Sequence, residues 1–426
     1  MKLIVRKSRV DGTVVVPASK SHTIRALLIG TLASGTSRLL NPLDSSDTRS
    51  CVTACEALGG RMMQQGQTVW EVEGTAGQPR PAAGIVDVRN SGTTLYLAMS
   101  VAALADGETE FTGDEQIQAR SAGALMEALR ALGGRAWSKE DNDCAPLVVG
   151  GPLRGGSVTI ACPTSQYLSS LLLGCPLASG DTEINVPLLN ERPYVTMTLQ
   201  WLEQAGIQYE AAEDYSHFHV PGGQSYPAFS RRIPGDFSTA SFFLTAAAVT
   251  GSRLRLEGLD MEDSQGDKAV VGMLAQMGCE VSHDADGLKI QGPERLKGGD
   301  FDLNATPDAL PIMAVAGACA AGTTRLLNVP QARQKETDRI DVMARELNRM
   351  GAEVEELPDG LVLHESRLHG AEVHGHADHR VVMALAVAGL TADEPTTVDT
   401  AETAAVTCPG FVSLMRAAGA DIRTVG

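Results

Sequence analysis

The chain has 426 residues, enough for two or three domains with hydrophobic cores. Hydrophobic residues make up 43% and charged residues 20%, the balance of an ordinary globular protein. The formal net charge of −17 argues against nucleic acid and against an anionic membrane as partners, so any site for an anionic ligand must be built by a local group of cations.

The N-terminal segment and the cysteines indicate in which cellular compartment the protein is expected. The first ten residues lack the apolar core of a signal peptide, and no apolar run reaches membrane-spanning length. The cysteines form no CxxC or Cys/His metal pattern, and several lie in apolar helical runs. These features predict a cytoplasmic protein with reduced, buried thiols and no metal centre.

Two sequence marks recur along the chain at nearly one period. The first is a glycine between a predicted helix and a strand, at steps of 74, 73, 72, 73 and 68 residues: Gly59, Gly133, Gly206, Gly278, Gly351 and Gly419. The second is a turn before a strand, at steps of 72, 73, 71, 71 and 71 residues: Gly35, Gly107, Gly180, Gly251, Gly322 and Asp393. Glycine at a helix end supplies a left-handed cap. Two independent marks with one period predict six repeats.

Each repeat is predicted to contain an apolar helix, a turn, a strand, an amphipathic helix, the glycine, a strand and a short hairpin. A helix that is apolar nearly all round is buried. Six repeats divide naturally into two α/β domains of three, formed by residues 1–17 with 235–426 and by residues 18–234. The first strand, 3–5 with 14–16, is predicted to pair with the last repeat.

Residues 331–350 are predicted to form an amphipathic helix, because apolar residues recur there at three- and four-residue steps. Lys335 and Arg339 are four residues apart and would share one helix face. A cationic pair beside the backbone N–H groups of a helix start favours an anion. Glu336 beside such a site could move a proton. The alternative is a solvated, charged helix start.

Polar residues gather at the predicted N-termini of the six apolar helices. They are residues 19–21 with 25, 89–92, 164–166, 235–236, 307–308 and 378–380. Asp236, Asp308, Asp378 and Thr164 have the alternative interpretation of N-caps. Cations oppose the helix dipole at such places and therefore predict a phosphate or carboxylate ligand. These cations are Lys20, Arg25, Arg120, Lys335, Arg339 and Arg380. A nucleotide-binding fold is disfavoured, since the sequence has no GxxxxGK[ST] and no GxGxxG after a strand.

Seven segments carry a resemblance to a known family: PASKSHTIRALL, NSGTT, TSQYLSSLL, GDFSTASFF, PDALPIMA, KETDR and ADHRVVMA. They resemble motifs of the enolpyruvyl transferases, and among these the 5-enolpyruvylshikimate-3-phosphate synthases. The likeness covers the whole chain and implies a two-domain inside-out α/β barrel of six repeats, with the active site in the interdomain cleft. It implies transfer of the enolpyruvyl group of phosphoenolpyruvate to the 5-hydroxyl of shikimate 3-phosphate, with release of phosphate, in aromatic amino acid biosynthesis. It implies a monomer that binds these two small molecules and needs no cofactor.

The resemblance also implies a role for each matching residue. It assigns shikimate 3-phosphate to Lys20, Ser21, Arg25, Thr164, Ser165, Gln166, Tyr194, Asp308 and Lys335. It assigns phosphoenolpyruvate to Lys20, Asn90, Gly92, Arg120, Gln166, Arg339 and Arg380. It assigns catalysis to Asp308, Glu336, Lys335 and Lys20. The acceptor hydroxyl must lose a proton and the methylene group must gain one, and two carboxyl groups in different surroundings can share that work.

Some residues depart from the family's usual pattern. Tyr96 stands where Arg is common, Val406 stands where Lys is common, and Glu191 stands where a Ser usually helps to hold the shikimate phosphate. Ser121 replaces a usual Pro after Arg120. The two missing cations predict low sensitivity to glyphosate, the family's herbicide inhibitor, and a carboxylate near a bound phosphate would repel it. Two alternatives stay open: a paralogue that uses a different alcohol, and a non-catalytic anion-binding repeat protein.

Overall fold

The structure, a computed structural model, describes residues 1–65, 68–284 and 287–426. The chain divides into two compact units. Unit 1 contains Met1–Pro17 and Pro234–Gly426, and unit 2 contains Ala18–Ile233.

The strands are short, and most have one face buried and the other exposed. They are β1 (Lys2–Arg6), β2 (Thr13–Val15), β3 (Thr36–Leu40), β4 (Arg61–Gln65), β5 (Val69–Glu73), β6 (Val86–Asp87), β7 (Glu108–Thr112), β8 (Arg135–Ser138), β9 (Leu147–Gly150), β10 (Gly156–Cys162), β11 (Thr182–Leu189), β12 (Glu210–Ala211), β13 (His217–Val220), β14 (Ser230–Arg232), β15 (Arg253–Glu257), β16 (Glu280–Asp284), β17 (Gly287–Gln291), β18 (Asp300–Asp302), β19 (Thr323–Leu327), β20 (Glu353–Leu357), β21 (Gly360–His364), β22 (Glu372–Val373), β23 (Thr396–Val398) and β24 (Asp421–Val425).

The helices alternate with these strands. They are α1 (Lys20–Leu32), α2 (Ser46–Ala57), α3 (Gly92–Ala102), α4 (Glu115–Gln118), α5 (Gly123–Ala131), α6 (Ser165–Gly174), α7 (Arg192–Gln204), α8 (Phe237–Thr250), α9 (Ala269–Gln276), α10 (Leu310–Ala318), α11 (Arg339–Arg349), α12 (His379–Gly389) and α13 (Phe411–Ala417). Short 3-10 helices cover Cys175–Leu177, Gly266–Lys268, Pro307–Ala309, Pro330–Gln334 and Ala401–Val406.

The sheets repeat one plan. Within the described residues the strands form six four-stranded sheets, three in each unit. In the sheet with β10, for example, β10 lies parallel to β11, β11 pairs antiparallel with β13, and β13 pairs antiparallel with β12. The other five sheets also combine one parallel pair with two antiparallel pairs. The predicted six repeats are thereby confirmed.

The most apolar helices form the interior of each unit. Almost every residue of α1, α3 and α6 in unit 2, and of α8, α10 and α12 in unit 1, is buried. Most strands of the sheets around them bury one face only, as the pattern of β7 shows. Helices inside and sheets outside confirm the predicted inside-out α/β fold. None of the helices in the described ranges is long and apolar enough to cross a bilayer.

The glycines that mark the helix ends adopt the predicted left-handed conformation. Their φ angles lie between 75° and 105°, at Gly59, Gly133, Gly206, Gly278, Gly351 and Gly419. A residue with a Cβ is strained in this region, so the mark recurs because each repeat ends its second helix in the same way.

The two N-terminal strands belong to sheets of different repeats, and the prediction for the second strand was wrong. β1 pairs with β23 and β24 and so completes the last repeat, as predicted. β2 instead lies parallel to β15 in the fourth repeat. In unit 2, β14 completes the sheet of β3 in the same way. Each strand covers an edge whose N–H and C=O groups would otherwise lack partners.

Candidate active site

Arg339, the first residue of α11, is the centre of a buried ionic cluster in unit 1. Its Nε lies 2.8 Å from Oδ2 of Asp378 and its Nη1 lies 2.8 Å from Oδ1 of Asp308. Its Nη2 lies 2.5 Å from Oε2 of Glu336. Only 1% of the Arg339 side chain is exposed. Burial alone would lower the pKa of this guanidinium, but Asp378, Glu336 and Asp308 outweigh it and raise the pKa above its usual value.

Asp308 bridges two guanidinium groups. Its Oδ2 lies 2.8 Å from Nη2 of Arg380, while its Oδ1 accepts from Arg339. Arg380 also donates to the hydroxyl of Ser238. Two predicted site cations and one predicted catalytic acid are therefore in direct contact.

The N-cap alternative is right for two aspartates and wrong for the third. Asp236 accepts from the N–H of Thr239, and Asp378 accepts from the N–H of Arg380, so both cap their helices. Asp308 instead lies in the 3-10 turn before α10, where its carboxylate is held by arginines. Asp378 acts both as a cap and as a ligand of Arg339, because its Oδ1 accepts from the helix start and from Nη2 of Arg339, while its Oδ2 accepts from Nε.

The predicted helix at residues 331–350 begins later than expected. Residues Pro330–Gln334 form a 3-10 helix, and α11 starts only at Arg339. Asp338 is the reason, because its side chain accepts from the N–H of Asp341 and caps the helix there. Lys335 precedes the cap in extended backbone, with φ −92° and ψ −150°. Lys335 and Arg339 therefore do not share a helical face.

His379 lies against the acids of this cluster. Nitrogen and oxygen atoms of His379, Glu336 and Asp378 come within 4.8 Å of one another. Burial lowers the pKa of His379 to about 3, even though both acids act in the opposite direction. The imidazole is therefore neutral near pH 7. These three residues have the donor types of a metal site, but Arg339 already forms ion pairs with both carboxylates.

In unit 2, α1 begins with the predicted Lys20–Ser21 pair. Nζ of Lys20 lies 3.1 Å from Oδ2 of Asp47, a buried residue in the first turn of α2. The carbonyl oxygen of Ser21 accepts from Nη1 of Arg25 at 3.1 Å. Arg25 thus lies one turn below the helix start and holds its backbone.

Arg25 is buried among neutral oxygen atoms. Its Nε donates to Oγ1 of Thr198 at 2.9 Å, and its Nη2 donates to the carbonyl of Tyr194 at 3.0 Å and to Oγ of Ser169 at 3.4 Å. Within the described ranges, no carboxylate forms an ion pair with it. Burial lowers the pKa of Arg25 to about 10, although Tyr194 acts to raise it. The guanidinium remains charged near pH 7 and can attract an anionic ligand.

Asn90, Gly92 and Arg120 come together at the start of α3. A Cβ at position 92 would lie 2.8 Å from Nη1 of Arg120, so a larger residue would push that guanidinium aside. Asn90 donates to Oδ2 of Asp114 at 2.6 Å. Tyr96 stands on the same helix, and its hydroxyl donates to the carbonyl of Ser121 at 3.1 Å. The residue that replaces a usual cation therefore supports the segment that carries Arg120.

Thr164, Ser165 and Gln166 form the start of α6, and Glu191 is bound there. Oε2 of Glu191 accepts from the hydroxyl of Ser165 at 2.8 Å and from its N–H at 3.1 Å. It also accepts from Oγ1 of Thr164 at 3.2 Å. Nε2 of Gln166 donates to the same threonine oxygen at 3.1 Å.

Sequence reasoning missed the partners of the predicted site residues. Asp378 was noticed only as a cap, and Ser238 was not singled out, although both touch site arginines. Ser169 and Thr198, which hold Arg25, lie in apolar stretches of α6 and α7. The one available signal was that Asp378 directly precedes His379 and Arg380 in the ADHR segment.

Comparison with known proteins decides the family. The family model of EPSP synthase (3-phosphoshikimate 1-carboxyvinyltransferase) matches residues 4–415. The chain belongs to the EPSP synthase family. It is 50% identical over 425 residues to the 3-phosphoshikimate 1-carboxyvinyltransferase of Ruminiclostridium cellulolyticum, with 100% of both chains covered.

Other EPSP synthase relatives agree. The 3-phosphoshikimate 1-carboxyvinyltransferase of Acetivibrio thermocellus is 51% identical over 424 residues, with 100% of both chains covered. That of Methanocella arvoryzae is 44% identical and matches 98% of this chain and 99% of its own. The structure of EPSP synthase from Acinetobacter baumannii matches with a TM-score of 0.84 at 25% identity, covering 100% of both chains. The resemblance seen in the seven segments is thereby confirmed.

Proposed function

We propose that the chain is a 3-phosphoshikimate 1-carboxyvinyltransferase, which transfers the enolpyruvyl group of phosphoenolpyruvate to the 5-hydroxyl of shikimate 3-phosphate and releases phosphate. Beyond family membership, one observation carries the proposal: two acids, Asp308 and Glu336, are held by the same buried guanidinium. A site that only bound anions would have no use for two carboxylates among its cations.

The two acids have different surroundings and can therefore take different roles. Asp308 lies between Arg339 and Arg380, and it takes the proton of the attacking hydroxyl. Glu336 lies between Arg339 and the neutral His379, and it delivers a proton to the methylene carbon. Expulsion of phosphate from the tetrahedral intermediate then returns that proton. Lys335, next to Glu336 in the chain, meets the reacting hydroxyl.

Arginine and lysine side chains bind the anionic groups of the substrates. Arg339 and Arg380 hold the carboxylate of phosphoenolpyruvate, and Arg120 with Asn90 and Gly92 holds its phosphate. Arginine suits these contacts because its fork of N–H groups binds such oxygens in pairs. Lys20 contacts both substrates, and charge that develops in the transition state is neutralised by these fixed cations.

The acceptor is recognised within unit 2. Arg25, Ser21 and Tyr194 hold the shikimate carboxylate region, since Arg25 is a buried cation whose bonds go to neutral oxygens. Thr164 and Ser165 hold the 3-phosphate at the start of α6, where N–H groups favour anions. Gln166 bridges the two substrates. We further propose that the protein acts as a monomer in the cytoplasm.

Phosphate release tests the proposal. The wild type, given phosphoenolpyruvate and shikimate 3-phosphate, should release phosphate, and Asp308→Asn should slow this by about two orders of magnitude or more. Glu353→Gln, which removes an exposed acid of β20, is the matched control and should behave as the wild type. Turnover with another alcohol, or none with shikimate 3-phosphate, would refute the proposed acceptor.

A further inference from the structure

The carboxylate of Glu191 occupies the place at α6 that suits an incoming phosphate. Two hydroxyls and one helix N-terminal N–H converge on its Oε2, at 3.2, 2.8 and 3.1 Å. Glu191 itself is only 2% exposed. A set of hydroxyl and N–H donors at a helix start is one that binds phosphate, and here an internal anion uses it.

The backbone of Glu191 is held in a conformation that glutamate disfavours. Its φ is 58°, in the left-handed region. Four of the other five repeats reach the same region within two residues of the equivalent strand end, with Asn41 at 57°, Gly258 at 88°, Asn328 at 58° and Thr400 at 49°. Asparagine and glycine take this conformation at little cost, whereas glutamate does not. The presence of glutamate at position 191, despite this backbone conformation, therefore indicates a role for its carboxylate.

The neighbouring cation does not compensate for this carboxylate. The guanidinium of Arg192 lies 4.2 Å from the ring centre of Tyr215 and donates to the carbonyl of Glu213. Its charge is therefore engaged on the outer side of α7. A phosphate that approached the start of α6 would meet the Glu191 carboxylate first, and two anions cannot share one set of donors without strong repulsion.

We propose that Glu191 gates the acceptor subsite: its carboxylate occupies the phosphate position and leaves when a phosphorylated acceptor binds. The proposal rests on the proposed function, because it takes Thr164 and Ser165 as the phosphate-binding groups. It makes Glu191 a specificity-determining residue, since an acceptor without an anionic group at this position cannot displace the carboxylate. Every binding event then includes the exchange of one anion for another.

Variants of Glu191 distinguish this role from a purely structural one, in which its carboxylate only stabilises the start of α6. Glu191→Asn keeps a residue suited to the left-handed backbone, as at positions 41 and 328, and removes the competing charge. The KM for shikimate 3-phosphate should fall by about tenfold, the factor of one charge-assisted contact, while the KM for phosphoenolpyruvate serves as the internal reference. Glu191→Gln, which keeps the shape but not the charge, should fall between the wild type and Glu191→Asn. Glu210→Gln removes an exposed charge from the same unit and is the control.

Inorganic phosphate gives a second readout that does not depend on turnover. Calorimetric titration should show tighter binding of phosphate by Glu191→Asn than by the wild type, by a similar factor. If both replacements leave the KM and the phosphate affinity unchanged or weaken them while the melting temperature falls, Glu191 is only a cap of α6 and the proposal is wrong. If the wild type does not turn over shikimate 3-phosphate, the proposed function fails, and the phosphate titration alone still decides the role of Glu191.

Discussion

Arg339 and Arg25 are both buried, yet their surroundings have opposite electrostatic character. Three carboxylates contact Arg339 in unit 1 and raise its pKa, whereas hydroxyls and carbonyls contact Arg25 in unit 2 and burial lowers its pKa to about 10. Arg339 contacts carboxylates. Arg25 contacts neutral oxygen atoms, so it can bind an anionic group of a ligand without giving up a carboxylate.

This difference suits two different roles, proton transfer in unit 1 and recognition of the acceptor in unit 2. Acids and bases that move protons must be held in place before the substrate arrives, and Arg339 does this for Asp308 and Glu336. We propose that Arg25 binds an anionic group of the acceptor, since its own contacts are neutral oxygen atoms. Other proposed binding residues of unit 2 already contact a carboxylate: Lys20 contacts Asp47, and Ser165 contacts Glu191.

Removal of the charge of Arg339 should produce the largest effect. Arg339→Met removes the guanidinium that contacts Asp378 and Glu336 and one of the two that contact Asp308, and we expect the free energy of unfolding to fall by about 3–5 kcal/mol. Urea denaturation measures this. Arg416→Met removes an exposed arginine of α13 in the same unit and should change stability by less than about 1 kcal/mol. Equal stabilities of the two variants would show that the cluster does not hold unit 1 together.

Arg25→Met should have a smaller effect on stability, because the residues that it leaves behind are neutral. The Thr198 hydroxyl still bonds to Ser169 and to the Tyr194 carbonyl, so the free energy of unfolding should fall by about 1–3 kcal/mol. Binding should suffer more: the KM for shikimate 3-phosphate should rise by at least about tenfold with the KM for phosphoenolpyruvate little changed. If Arg25→Met lost as much stability as Arg339→Met, the expected difference between a guanidinium among carboxylates and one among neutral oxygens would be wrong.

Val406→Lys tests whether a missing cation weakens the binding of glyphosate. Val406 is half-buried at the end of a 3-10 helix, where the family often carries a lysine. A restored charge should tighten inhibition by glyphosate by about 1–3 kcal/mol, since the inhibitor is an anion at the phosphoenolpyruvate site. Competitive inhibition constants for the wild type and the variant decide this. Tight inhibition of the wild type, or no change in the variant, would refute the argument.

The pH dependence of stability should report His379. Its pKa is about 3 in the folded protein and about 6.5 in an unfolded chain. Between these values only the unfolded chain binds the proton, so the stability due to the neutral imidazole is present above about pH 6.5 and is lost as the pH falls toward 3. The wild type should therefore lose up to about 1.4 kcal/mol per pH unit relative to His379→Asn. A constant difference between the two proteins from pH 7 to pH 4.5 would contradict this.

The repeats could be predicted from the sequence because their signals are local. A left-handed glycine at a helix end and a turn before a strand each depend on a few neighbouring residues, and both recurred. The partner of β2 could not be predicted in this way, since the sheet edge that a strand joins depends on contacts with residues far away along the chain. The start of α11 was missed because the side chain of Asp338 caps the helix there, and that outweighed the helical pattern of the preceding residues.

The contacts among the site residues could be foreseen from the sequence only where the residues are close in the chain. The cations near residue 339 predict an external anion, which stays a prediction. The contacts of Arg339 with Asp308 and Asp378, 31 and 39 residues away along the chain, could not be foreseen. Glu191 was recognised as a departure, but its bond to Ser165 across 26 residues was not foreseeable from spacing.

The proposed mechanism depends on proton delivery by Glu336, and isotope exchange measures this step. In heavy water, with both substrates present, proton NMR of the wild type should show deuterium entering the methylene group of the enolpyruvyl moiety. Glu336→Gln should lose this incorporation by about two orders of magnitude or more, while calorimetry shows that both substrates still bind. Glu353→Gln should match the wild type. Deuterium incorporation at the wild-type rate in Glu336→Gln would contradict the account.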